Sequence, residues 1–80
     1  MNNIEERLRQ IMKSLIKVES IEMEDDMSDL GLNSFIFVKL IIKIEEEFDI
    51  DFDDEDLDLD NFKKFRNIVE YINGKLGGDN

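Results

Sequence analysis

The run Asp29–Phe48, DLGLNSFIFVKLIIKIEEEF, joins a tight turn to a long apolar helix and decides the fold. A turn closing on Gly31 delivers Asn33 and Ser34 to the helix start, so Ser34 is predicted at the N-cap or in the first turn. Its hydroxyl then lies among unpaired backbone N–H groups at the positive end of the helix dipole, a field that favours a phosphate ester. At about 100° per residue, Phe37, Leu40, Ile41, Ile44 and Phe48 share one stripe, and Phe35, Val38 and Ile42 share a second. One core contact cannot cover both stripes, and a domain this small has little room to wrap a helix completely. The second stripe is therefore expected to stay exposed for a partner or a cargo, beginning beside Ser34.

Asp29-Leu30-Gly31-Leu32-Asn33-Ser34, followed by the apolar helix ending Ile44-Glu45-Glu46-Glu47-Phe48, resembles the phosphopantetheine attachment region of acyl and peptidyl carrier proteins. The resemblance continues more loosely to Phe65-Arg66-Asn67-Ile68-Val69-Glu70-Tyr71-Ile72, which is similar to that family's last helix. It implies an all-α, four-helix carrier bundle with three longer helices, a short third helix and a long loop between helices 1 and 2. It also implies that Ser34 receives a 4′-phosphopantetheine arm from coenzyme A, whose thiol then holds an acyl or aminoacyl group as a thioester. The implied partners are a phosphopantetheinyl transferase, an adenylating or acylating enzyme that loads the arm, and acyl-transfer or condensing enzymes downstream. Asn33 stands where fatty-acid carriers usually have Asp, Lys39 where they commonly have an acid, and Ile36 and Phe37 where they are polar. These departures make the helix more similar to stand-alone peptidyl and D-alanyl carriers. On this helix Phe35, Val38 and Ile42 are the expected docking residues, with Lys39, Lys43 and Glu46 bordering them and setting specificity by charge.

Composition narrows the function in the same direction. Twenty-one acidic residues against ten basic ones give a net charge of −11, which opposes nucleic-acid binding because both surfaces would repel. The chain has no histidine, cysteine or tryptophan, so the usual catalytic base, thiolate nucleophile and soft metal ligands are missing. A carrier without catalysis of its own is the expectation, with Ser34 an attachment point and not a nucleophile. Lack of cysteine fits a reducing compartment, and no stretch reaches the roughly 20 apolar residues of a membrane span. Together with an N-terminus unlike a signal peptide, this points to a cytoplasmic monomer.

Along the chain, Ile4, Leu8, Ile11, Met12, Leu15 and Ile16 recur at helical spacing and predict an amphipathic first helix. The connection from Val18 to Asn33 is long for so small a domain, with Ile21, Met23, Met27, Leu30 and Leu32 as its expected pins. In the acidic segment, Asp49, Asp51, Asp53 and Asp60 take positions 1, 3, 5 and 12 of a calcium loop, but Asp54 stands where the sharp turn needs glycine. Ile50, Phe52, Leu57 and Leu59 read instead as anchors of a loop and a short helix near Asp54 to Asp58. A last helix is predicted from Lys63 or Lys64 to Ile72, burying Phe62, Phe65, Ile68, Val69 and Ile72 and stopping at Gly74. Residues 1–76 thus read as one carrier domain and 77–80 as a flexible tail. The competing reading is a non-covalent acidic helical interaction module, calcium-responsive through that segment.

Self-repulsion at this charge predicts that the melting temperature rises with NaCl between roughly 0.05 and 0.5 M. Calcium should stabilise weakly and without selectivity over magnesium in the same melts. A saturable calcium site tighter than about 10 μM, in the range of sensor loops, is the contrary result.

Overall fold

The computed structural model describes residues 3–77. Three α-helices make its frame: α1 (Asn3–Leu15), α2 (Ser34–Phe48) and α3 (Phe65–Lys75). Glu5 and Glu6 lie in the first turn of α1 and Lys13 in its last, the arrangement the helix dipole favours. Leu8 and Met12 are fully buried, and Ile16 follows them just past the helix end. Against them α2 turns Phe37, Leu40, Ile41, Ile44 and Phe48, the first stripe read from the sequence. From α3 come Phe65, Ile68, Val69 and Ile72, which close one continuous core.

The long connection between α1 and α2 is held by apolar pins and by the start of α3. Ile21, Met27 and Leu32 are buried, and Met23 and Leu30 partly so. The first N–H groups of a helix have no partner within it. In α3 they are met from the loop: Phe65 N–H donates to the Asp25 carbonyl (3.2 Å) and Arg66 N–H to the Met23 carbonyl (2.9 Å). In return Met27 N–H donates to the Lys63 carbonyl (2.7 Å), forming an isolated antiparallel bridge between Asp26 and Lys64. Glu24 adds ion pairs to Lys64 and Arg66. The loop then turns through Gly31, whose φ of +114° is a conformation that disfavours any side chain.

Between α2 and α3 the short third helix of the four-helix expectation is represented by two 3₁₀ turns, Asp54–Asp56 and Leu59–Phe62. Three consecutive carboxylates in the first turn repel one another, and the Asp58 side chain takes the Asp60 N–H (2.9 Å), offering the backbone an alternative to a helix. Phe52 is buried and Ile50 and Leu59 are partly buried, but Leu57 is exposed and anchors nothing. The segment is fastened instead by α3. The Tyr71 ring stacks on Phe52 (4.7 Å between centroids), its hydroxyl donates to Asp56 (3.1 Å) and accepts from the Asp53 N–H (3.3 Å), and Lys75 pairs with Asp53 (2.9 Å).

Gly74 does not end α3, which continues to Lys75. Leu76 N–H still reaches the Ile72 carbonyl, and the left-handed residue that follows is Gly77, at φ +67°. A glycine inside a helix costs about 1 kcal/mol, which the Lys75–Asp53 contact and the neighbouring core can override. Gly78, Asp79 and Asn80, read as a flexible tail, lie outside the described residues.

Hydrogen bonds from Arg66 and then Lys64 hold the Glu24 carboxyl below the usual glutamate range. A lowered folded-state pKa contributes stability above the unfolded value, and that contribution is lost as pH falls through the folded one. Glu24→Gln should therefore lower the urea midpoint at about pH 6. The gap to the unmodified protein should begin to shrink as pH drops below about 4, the range where an unfolded-chain glutamate protonates, and close only once the folded-state carboxyl is protonated as well. Urea titrations across this range read the difference directly.

Candidate functional site

Ser34 is the first residue of α2, and its placement follows from its two neighbours. Leu32 is buried and plants the incoming chain. Asn33, with extended backbone (φ −136°, ψ −179°), is the N-cap: its Oδ1 accepts the Ile36 N–H at 2.9 Å. Ser34 is thus a first-turn residue, and capping falls to Asn33. The Ser34 side chain is exposed, and its hydroxyl has no hydrogen-bond partner among the described residues. At the same helix end the Ser34 and Phe35 N–H groups precede the first intrahelical bond, from Phe37 N–H to the Asn33 carbonyl, so the field there favours an anion. A reachable hydroxyl in such a field fits a phosphodiester. Nothing within the sequence supplies a histidine to deprotonate it.

Beside Ser34 the second stripe faces outward. Phe35 is 70% exposed, Val38 58% and Ile42 50%, whereas Phe37 is 7% exposed and belongs to the core. Lys39 places its ammonium 4.6 Å from the centre of the Phe35 ring, a cation–π contact that orders an otherwise unsupported aromatic. Lys43 and Glu46 lie round toward α1, in an open groove of about 320 Å³ shared with Gln10, Ile11, Ser14 and Glu47. On the opposite side of the stripe a cleft of about 410 Å³ runs between α2 and the first 3₁₀ turn, lined by Phe37, Val38, Ile41, Ile42, Glu45, Phe52, Asp54 and Leu57.

Leu57 and Asp54 were not legible as members of this surface. Leu57 alternates with acids in the same way as the buried Phe52, so only its position beyond the 3₁₀ turn distinguishes them. The calcium-loop residues are dispersed to other tasks. Asp49 is the C-cap of α2 in the left-handed conformation (φ 57°, ψ 50°), and Asp53 pairs with Lys75. Among the described residues no three carboxylates gather where they could share a metal ion. Nor is any described helix long and apolar enough to cross a membrane.

A family model described as "Phosphopantetheine attachment site" matches residues 6–72, and the chain belongs to that family. Its members are carriers without catalysis of their own, and they hold 4′-phosphopantetheine covalently. Aminoacyl carrier protein 2 of Bradyrhizobium diazoefficiens is 27% identical over 79 residues, covering 94% of this chain and 89% of that protein. In fold the chain is similar to the acyl carrier protein of Thermotoga maritima, with a TM-score of 0.80 at 19% identity, over 98% of this chain and 92% of that one. Carrier function by phosphopantetheine attachment, expected from the Asp29–Phe48 run, is thereby established over the non-covalent interaction module.

The two phenylalanines that flank Ile36 give a direct check on the geometry of α2. Phe37→Ala should destabilise the protein by about 3–5 kcal/mol, the usual cost of emptying a phenylalanine site in a core. Phe35→Ala should change stability by less than about 0.5 kcal/mol, as exposed substitutions do. Chemical denaturation of the two variants in parallel measures both.

Proposed function

We propose that Ser34 carries the 4′-phosphopantetheine arm and that the protein holds an aminoacyl or acyl group on it as a thioester, presenting it to separate enzymes. The observation that carries this is the division of labour at the start of α2. Asn33 caps the helix through the Ile36 N–H, which leaves the Ser34 hydroxyl exposed and, among the described residues, unbonded where an ester phosphate is electrostatically favoured. Phe35, Val38 and Ile42 form the docking strip beside it, with Lys39, Lys43 and Glu46 at its borders. A phosphopantetheinyl transferase attaches the arm, an adenylating or acylating enzyme loads it, and acyl-transfer or condensing enzymes receive the cargo. The protein acts as a cytoplasmic monomer, residues 1–76 forming its carrier domain.

An aminoacyl cargo has specific support. The relative from Bradyrhizobium diazoefficiens is an aminoacyl carrier protein. The face around Ser34, moreover, bears Lys39 where fatty-acid carriers commonly have an acid and Ile36 where they are polar. A D-alanyl group belongs to the same class of cargo and would use the same serine.

Intact-mass measurement after incubation with coenzyme A and a promiscuous phosphopantetheinyl transferase tests the assignment. The unmodified protein should gain one phosphopantetheine, and Ser34→Ala none. The alanine variant keeps the Asn33 cap, so its melting temperature should stay close to that of the unmodified protein. An alanine variant that still takes up the arm places the attachment elsewhere.

A further inference from the structure

The turn that delivers Ser34 to α2 hangs from one residue. Met27 is fully buried; its N–H donates to the Lys63 carbonyl at 2.7 Å, and its carbonyl accepts two N–H groups, from Leu32 at 2.9 Å and from Leu30 at 3.1 Å. The residues between close on one another: Asp29 N–H donates to the Asp26 carbonyl (3.0 Å), Gly31 N–H to the Ser28 carbonyl (3.1 Å), and Ser28 N–H to Asp26 Oδ1 (2.8 Å). A carbonyl that accepts twice has both lone pairs engaged, so a shift of Met27 is passed to Leu30 and Leu32 together. Leu32 is itself buried and stands two residues before Ser34. Hydrogen bonds on either side of Met27 thus join the residue two before α3 to the chain entering α2.

We propose that Met27 is a positioning residue for arm attachment: through its backbone, the start of α3 fixes where the Ser34 hydroxyl stands at the end of α2. This rests on Ser34 as the attachment point. Burial of the side chain does not by itself account for the bonding. Ile21 is almost as deeply buried, yet its carbonyl is taken by the Arg9 side chain of α1 (2.8 Å), which ties the loop without reaching the turn. The Asn33 cap holds Ser34 relative to α2 but does not hold the chain arriving at Asn33, which passes through Gly31 at positive φ. With no Cβ there to restrict the backbone, the turn keeps its shape through its hydrogen bonds. In arm attachment the Ser34 oxygen bonds to a phosphorus of coenzyme A as the adenosine bisphosphate leaves and the hydroxyl proton passes to the transferase. Such a displacement needs the oxygen in line with the bond that breaks, and misplacement by about 1 Å can cost on the order of a hundredfold in rate.

Replacing Met27 by its α-hydroxy acid analogue puts an ester oxygen in place of the N–H and keeps the side chain, so the bond to the Lys63 carbonyl is lost while the core stays filled. The same exchange at Asn61, whose N–H donates to the Asp58 carbonyl (2.8 Å), removes a comparable bond in a segment that does not carry the turn. Both are assayed with coenzyme A and the promiscuous transferase, well below either melting temperature, alongside amide hydrogen exchange. In the Met27 ester, exchange at Leu30 and Leu32 should rise about tenfold beyond that at Leu8 and Met12, and kcat should fall about tenfold with KM changed less than about twofold. A fall confined to kcat marks lost orientation in the bound complex, whereas a partly unfolded substrate raises KM. The Asn61 ester should keep kcat within about twofold. The Met27 ester also weakens the Asp26 carbonyl that accepts from Asp29, so a second variant is measured with the turn's own backbone intact. Lys64→Gln/Arg66→Gln loosens the same tie from exposed side chains, and its kcat should fall about two- to threefold. It also carries the test if the ester does not fold. Full kcat in either tie variant, equal losses in the two esters, a loss confined to KM, or exchange that rises equally at Leu8 and Leu32 would overturn the proposal. Attachment itself is read by the Ser34→Ala mass result, so each of these outcomes leaves that assignment standing.

Discussion

A fifteen-residue helix in an eighty-residue domain can turn only one side inward, and the rest of this structure follows from that limit. Helix α2 carries apolar side chains around most of its circumference, more than the facing surfaces of α1 and α3 can cover. Phe37, Leu40, Ile41, Ile44 and Phe48 take the core, and Phe35, Val38 and Ile42 are left in water. Keeping these three residues apolar gives no folding benefit from burial within the chain. Burial can reward them only against another molecule, as in the docking role proposed for them, and the strip they form starts one residue after the exposed serine.

The acidic character of the chain has a structural effect distinct from its effect on partners. In the segment between α2 and α3 the density of carboxylates holds the backbone in 3₁₀ turns, and fastening comes from Tyr71 and Lys75 on α3. That fastening is also what keeps the cleft beside α2 bounded, since Phe52 stacks on Tyr71 and Leu57 stands on the opposite rim. The same segment that looks like a charge run from composition is therefore one wall of the surface next to Ser34.

Much of this was legible in the residue pattern, and the parts that were not share a cause. The division of α2 into a buried and an exposed stripe follows from helical periodicity alone, as does the burial of Phe65, Ile68, Val69 and Ile72 in α3. The loop pins Ile21, Met27 and Leu32 could be read because isolated apolar residues in an acidic connection have few other uses. Gly74 misled because a glycine signals a helix end only when nothing beyond it holds the chain, and Lys75 is held by Asp53, 22 residues away. Leu57 misled because alternation with acids cannot say which of several apolar residues finds the core. The position of Ser34 at the start of α2 was anticipated as N-cap or first turn, but that Asn33 is the cap, leaving the Ser34 hydroxyl exposed, required the geometry of the turn.

The tie between the first loop and the start of α3 sets an order on how the protein comes into being. The carbonyls of Met23 and Asp25 find their partners at Arg66 and Phe65, some forty residues later in the chain. During synthesis, α1 and α2 can form while the loop that seats Ser34 still lacks its backbone hydrogen bonds to Lys63, Phe65 and Arg66, because contacts of such long separation close last. The serine is thus presented in its final setting only when the chain as far as Arg66 has left the ribosome. Any enzyme that reads that setting meets a finished domain, and a fragment ending before Phe65 would offer the same motif without the same shape.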